Sequence, residues 1–90
     1  MNDPPYTYEL VDDARREVAA LDPTSRNRIF AKLERLRGDP LGFDTTDLAG
    51  SSGSRRLRVG DYRVVYTIDE ERQVIQVYRI GHRRDVYRQR

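Results

Sequence analysis

The 90-residue chain has no cysteine, one histidine, one lysine and no long apolar run. Without cysteine there is neither a disulfide framework nor a thiolate metal site. One histidine, His82, is too few for an ordinary structural zinc site. No apolar stretch reaches the length needed to cross a membrane. The opening Met1-Asn2-Asp3-Pro4-Pro5 has neither the basic nor the apolar region of a signal peptide. These absences set the expectation of a soluble, cytoplasmic protein with no metal, no cofactor and no membrane partner. The length allows one domain, residues 1–90, in which about two thirds of the unfolded surface can be buried.

Arginine is what the chain has in excess. Lys32 is the one cation of the other kind among 17 Lys and Arg. The charges are also unevenly placed. The first fifty residues hold seven Lys/Arg and ten Asp/Glu, and the last forty hold ten Arg and five Asp/Glu. A net charge of +2 thus conceals a basic C-terminal half. Arginine grips phosphate through a planar fork and keeps its proton, so this half fits a polyanionic partner, although a solvated charged surface accounts for the counts equally well.

Periodicity places the elements. Tyr6 to Leu10 alternates and reads as a strand. Val11, Ala14, Val18 and Leu21 then fall at helical spacing, with Asp12 and Asp13 in the first turn, where the helix dipole favours acids. Asp22-Pro23 restarts a helix, with Asp22 as N-cap and Pro23 at the first helical position. Ile29, Leu33 and Leu36 form its buried stripe, Phe30 flanks it, and Gly38 and Pro40 end it. The short link predicts an antiparallel helix hairpin. Residues 38–54 read as a loop anchored by Phe43 and Leu48. Strands follow over Arg55–Val59, Tyr62–Ile68 and Gln73–Ile80, the first two joined by a type II′ turn at Gly60-Asp61. The Gly81-His82-Arg83-Arg84 segment is expected to leave the sheet, with Asp85 capping a short turn through Tyr87.

A tight Gly60-Asp61 turn fixes the register. Val59 then opposes Tyr62, Leu57 opposes Val64, and Arg58 opposes Arg63. Leu57, Val59, Val64, Tyr66, Ile68, Ile75 and Val77 share the face that packs on the helices. Arg56, Arg58, Arg63, Thr67, Gln76 and Tyr78 share the other. Opposed arginines repel in the bare fold, and an anionic ligand would relieve that cost. Arginines bind phosphate, and nearby tyrosines can stack on unpaired bases. Packing accounts for Tyr6, Tyr8, Tyr62 and Tyr66. Tyr87 lies beyond the sheet, close to His82, Arg83 and Arg84. RNA cleavage can proceed without metal if a base takes the 2′-hydroxyl proton, cations stabilise the charged phosphorane and an acid serves the leaving oxygen.

Two runs carry a family resemblance: Arg55-Arg56-Leu57-Arg58-Val59-Gly60-Asp61-Tyr62-Arg63-Val64-Val65-Tyr66, and Gly81-His82-Arg83-Arg84-Asp85-Val86-Tyr87-Arg88. With Gly38-Asp39-Pro40 and Leu48-Ala49-Gly50 upstream, the joint pattern resembles the RelE/ParE toxin superfamily, RelE-like branch, over nearly the whole chain. The resemblance implies an α+β fold: an N-terminal strand and a two-helix antiparallel hairpin packed on one face of a mostly antiparallel four-stranded sheet. It implies a type II toxin that cleaves mRNA on the ribosome, restrained by a cognate antitoxin that folds as it binds. By that resemblance Arg63 contacts the scissile phosphate, Arg83 stabilises charge or serves the leaving group, and Tyr87 orients the nucleotide. Arg55, Arg56, Arg58, Arg84 and Arg88 are the expected RNA- and ribosome-binding residues. Arg56 and Arg58 stand where some nucleases of the family place lysines. Arginine cannot act as a base, which leaves that role between His82 and Tyr87. The rival within the superfamily is a ParE-like toxin that inhibits DNA gyrase by binding, without cutting RNA; retention of Arg63, Arg83 and Tyr87 favours the nuclease.

Overall fold

The structure, a computed structural model, describes residues 4–42, 44–48 and 53–86. Two helices cover one face of a five-stranded mixed sheet. In chain order the elements are β1 (Thr7–Leu10), α1 (Asp12–Ala19), α2 (Pro23–Leu36), β2 (Thr45–Asp47), β3 (Ser54–Val59), β4 (Tyr62–Asp69) and β5 (Val74–His82). The sheet order is β1-β5-β4-β3-β2. All neighbours are antiparallel except β1 and β5, which run parallel with Thr7 opposite Val74 and Leu10 opposite Val77.

The local chemistry explains most of these elements. Asp22 caps α2 by accepting from the Ser25 amide at 3.1 Å, and Pro23 follows at a position that needs no N–H donor. Those hydrogen bonds to Ser25 hold the Asp22 carboxyl below its usual range. Helix α2 ends at Leu36 with Arg37 as C-cap; Gly38 follows without a left-handed φ and donates to the Arg35 carbonyl at 3.1 Å. The helix is thus closed by tightened right-handed turns, without the left-handed residue a terminal glycine often supplies. At Gly60 φ is +60° while Asp61 keeps a negative φ, which is the signature of the expected type II′ turn. The paired residues follow: Val59 with Tyr62, Arg58 with Arg63, Leu57 with Val64.

Several expectations need correction. The sheet has five strands, not four, because Thr45–Asp47, expected as loop, pairs antiparallel with β3 (Thr45 with Leu57, Asp47 with Arg55). Three residues show no periodicity, so the partner strand defines this one. The helices do not form a mutually packed hairpin as their main contact: α1 rests on β5 and β1, and α2 on β3. The buried residues of both helices join those of the sheet in one core. Gly81 and His82 remain in the sheet, opposite Arg63 and Tyr62, so β5 runs two residues further than expected. Beyond it, the Asp85 and Val86 amides both donate to the His82 carbonyl, so His82 rather than Asp85 organises the turn. Tyr87 and Arg88, like the expected anchor Phe43, lie outside the described residues. Leu48 is half-buried and stands apart from the core cluster.

The core joins Ala14, Val18, Ile29, Leu33 and Leu36 from the helices to Leu57, Val59, Val64, Tyr66, Ile75, Val77 and Ile80 from the sheet. Ile80 is there because of a β-bulge. Val65 pairs with Arg79 and Tyr66 with Val77, so Tyr78 is the extra residue and the inside–outside alternation shifts beyond it. Tyr66 is fully buried, and its hydroxyl donates to the Pro40 carbonyl at 2.7 Å, fastening the start of the loop.

Candidate functional site

The face of the sheet opposite the helices carries an open groove of about 780 Å³ lined by Asp44, Thr46, Arg56, Arg58, Arg63, Arg83 and Arg84. Strand alternation puts Arg56 and Arg58 on this face of β3, and the register puts Arg63 beside Arg58. The bend after β5 brings up Arg83 and Arg84. The Arg83 amide donates to the Asp61 carbonyl at 2.8 Å, so the end of β5 is stitched to the β3–β4 turn. Val86 is buried, 3.7 Å from where a Cβ on Gly81 would stand, and so packs the turn back on the end of β5.

The arginines are held in different ways. One terminal nitrogen of Arg63 donates to the carbonyls of Gly60 and Tyr62, each at 2.9 Å, which turns its fork toward the hairpin tip. Arg83 lies 3.7 Å from the Asp61 carboxylate, a loose and exposed pairing. Arg56 donates from Nε to the Thr46 hydroxyl at 2.9 Å. Asp44 is the groove's acid, and it is already bound: Lys32 hydrogen-bonds it across from α2, and the Arg58 amide donates to its carbonyl at 2.9 Å. The Lys32 hydrogen bond holds the Asp44 carboxyl below its ordinary range against the opposing effect of burial, with the charges of Lys32, Arg58 and Arg35 adding to it.

His82 does not line the groove: it pairs with Tyr62 on the strand parity of the helix-side face, its ring edge-on to Tyr62 with centroids 5.9 Å apart. Its Nδ1 accepts from the Arg84 amide at 3.2 Å. A neutral histidine that accepts at Nδ1 carries its proton on Nε2, so the ring offers a donor on its other side.

Of the residues singled out in the sequence, Arg56, Arg58, Arg63, Arg83 and Arg84 converge on the groove, and His82 does not. Arg55 does not join them. It stands opposite Tyr66 on the helix-side face, where it donates to Asp47 and to the Thr45 hydroxyl, both at 2.7 Å. Asp44 and Thr46 are groove residues that sequence reasoning missed. The β-branched pair Thr45-Thr46 was a faint strand signal, and nothing around Asp44 marked it.

Comparison with known proteins gives a consistent result. Residues 8–87 match the family model described as the ParE toxin of type II toxin-antitoxin system, parDE. The chain is 37% identical to Toxin RelG of Mycobacterium tuberculosis, over 93% of this chain and 98% of that one. Among solved structures it resembles a chain of the toxin–antitoxin complex RelBE2 of M. tuberculosis, with a TM-score of 0.80 and 30% identity over 90% and 94% of the two chains. It also resembles a chain of the intact E. coli RelBE toxin–antitoxin complex, with a TM-score of 0.73 and 26% identity over 86% and 95%.

Proposed function

The chain belongs to the ParE toxin family of type II toxin–antitoxin systems, in the RelE/ParE superfamily, and from that premise we propose that it is a ribosome-dependent endoribonuclease that cuts mRNA. The observation that carries this reading is the convergence of Arg56, Arg58, Arg63, Arg83 and Arg84 on one open groove. A groove of guanidinium groups suits a chain of phosphates, and its open form leaves room for unpaired nucleotides.

In the proposed reaction the 2′-oxygen of one nucleotide attacks the adjacent phosphorus. Its proton leaves to a base, the bond from phosphorus to the 5′-oxygen breaks, and that oxygen takes up a proton. The products are a 2′,3′-cyclic phosphate and a 5′-hydroxyl. Arg63 and Arg83 act on the charge that develops at phosphorus, and preorganised cations of this kind can be worth on the order of 3–4 kcal/mol of barrier. Arg56, Arg58 and Arg84 hold neighbouring phosphates. His82, with Nδ1 engaged by the Arg84 amide, fixes the turn that carries Arg83 and Arg84. Tyr87 and Arg88 are assigned to the nucleotide and to the flanking RNA respectively. The ribosome supplies the orientation that a site without a strong base requires, and orientation alone can be a large share of catalysis. A cognate antitoxin neutralises the toxin by covering the arginine groove or displacing the segment that follows β5; the similar RelBE2 and RelBE structures are toxin–antitoxin complexes, which supports such a partner.

Single-turnover cleavage on programmed ribosomes tests the proposal. Arg63→Ala and Arg83→Ala should each slow cleavage by about 10²–10³-fold. Near-normal rates for both would refute the assignment. Intact mRNA together with blocked DNA gyrase supercoiling would make the protein a gyrase inhibitor instead.

A further inference from the structure

The positive surface does not end at the groove. On α2, Arg28, Lys32 and Arg35 follow the i, i+4, i+7 spacing that lines up one helix face. With Ala31 and Val59 they line a separate hollow of about 200 Å³. Lys32 is fixed at its rim by Asp44, the acid that also borders the groove. Arg28 and Arg35 are exposed and make no hydrogen bond or ion pair among the described residues. Arg28 also touches the β3–β4 turn: its guanidinium lies 3.1 Å from where a Cβ on Gly60 would stand. Arg63 holds the carbonyl of that same Gly60. The two arginines therefore flank one turn, Arg63 belonging to the groove and Arg28 to the hollow.

We propose that Arg28, Lys32 and Arg35 form a second phosphate-binding site that takes RNA backbone running on from the groove across the Gly60-Asp61 turn. The inference rests on the reading that the groove takes RNA. Two guanidinium groups about two helical turns, or roughly 10 Å, apart can contact phosphates further along the same polymer. The floor of Ala31 and Val59 offers no side-chain donor or acceptor for a base edge, so the contact is blind to sequence. An acidic protein segment is the competing occupant. RNA is favoured because one polyanion can bridge Arg63 and Arg28 without a change of partner at the turn.

The test uses two labelled RNAs: a single strand of roughly four nucleotides, at the lower end of the range for one single-strand site, and the same strand extended by a hairpin. Anisotropy titrations over a range of salt compare the intact protein with Arg28→Ala/Arg35→Ala and with Arg28→Lys/Arg35→Lys. The alanine pair should lower the slope of log K against log salt by about 2 on the extended RNA, about 1 per lost phosphate contact, and leave the short strand unaffected. The lysine pair should keep the slope. Unchanged melting temperatures check that the exposed substitutions leave the fold intact. An unchanged slope on the extended RNA overturns the proposal. So does an equal loss on the short strand, which would make the effect a general field, and so does intact RNA binding with weakened antitoxin binding, which would give the hollow to an acidic protein. These outcomes are separable from the catalytic reading. Ribosomal cleavage that persists while the slope stays unchanged removes only the second site, and correct slopes without cleavage remove only the nuclease.

Discussion

Glu17 links the helical layer to the end of β5 that leads into Arg83 and Arg84. Strand β1 stops pairing at Val77, so β5 continues with one edge open. There the Glu17 carboxylate accepts from the Ile80 amide at 2.7 Å and from Arg79 Nε at 2.8 Å. The two bonds differ in worth. The side chains of Glu17 and Arg79 are 28% and 39% exposed, so water screens the ion pair, and about 1 kcal/mol or less is expected from it. The amide belongs to Ile80, a residue only 1% exposed, and a buried amide left without an acceptor costs about 1–3 kcal/mol. Glu17→Ala removes both bonds and should cost roughly 2–3 kcal/mol, a fall in Tm of about 10–20 °C for a domain of this size. Glu17→Gln keeps a carbonyl for the amide and should cost under about 1 kcal/mol. Thermal melts and hydrogen exchange at the Ile80 amide measure this directly. The amide should lose protection in Glu17→Ala and keep it in Glu17→Gln. Cleavage should weaken in the alanine variant, because Arg83 lies three residues past Ile80. Equal destabilisation by Gln and Ala would refute the reasoning, since the charge and not the amide acceptor would then carry the effect.

Other outcomes follow from the same structure. Leu33 is fully buried between α2 and the sheet, and Leu33→Ala should cost about 2–5 kcal/mol in a urea melt. Gly60→Ala forces a side chain to φ +60° against the Arg28 guanidinium and should cost about 1–2 kcal/mol from the backbone alone. Asp44 has its folded-state pKa lowered, first by the Lys32 hydrogen bond, so its contribution is present above the usual carboxylate pKa of about 4 and fades as pH falls through the lower folded value. Denaturation midpoints should therefore drop more steeply in acid for the intact protein than for Asp44→Asn, and parallel curves would show that the Lys32–Asp44 pair adds nothing.

Local signals predicted most of this well. Asp22-Pro23 gave the start of α2, and Gly60-Asp61 set the β3–β4 register that aligned Arg58 with Arg63, because a two-residue turn leaves no freedom in pairing. Features that depend on a distant partner escaped. Strand β2 is too short to show a period and exists because β3 offers an edge. The Tyr78 bulge reverses parity without any glycine or proline to announce it, so Ile80 went unassigned to the core. Gly81 and His82 looked like a departure from the sheet, yet Arg63 and Tyr62 hold them in it. Arg56, Arg58 and Arg63 were legible as one face from alternation. Arg55, their neighbour in sequence, falls on the opposite face by that same alternation. Asp44 became visible only when α2 and β3 brought Lys32 and Arg58 to it.

The parallel pairing of β1 with β5 also has a consequence in time. Glu9 and Gln76, which meet across that pair through a 3.2 Å side-chain hydrogen bond, are 67 residues apart in sequence. The first strand to be synthesised therefore waits for the last before it has a neighbour, and closing so long a loop is a slow, late step in folding. Glu17 waits likewise for Arg79 and Ile80, whose strand end presents Arg83. Arg83 and Arg84 thus join Arg56, Arg58 and Arg63 only once β5 has paired, so the groove is completed by that docking and not by the β3–β4 hairpin alone.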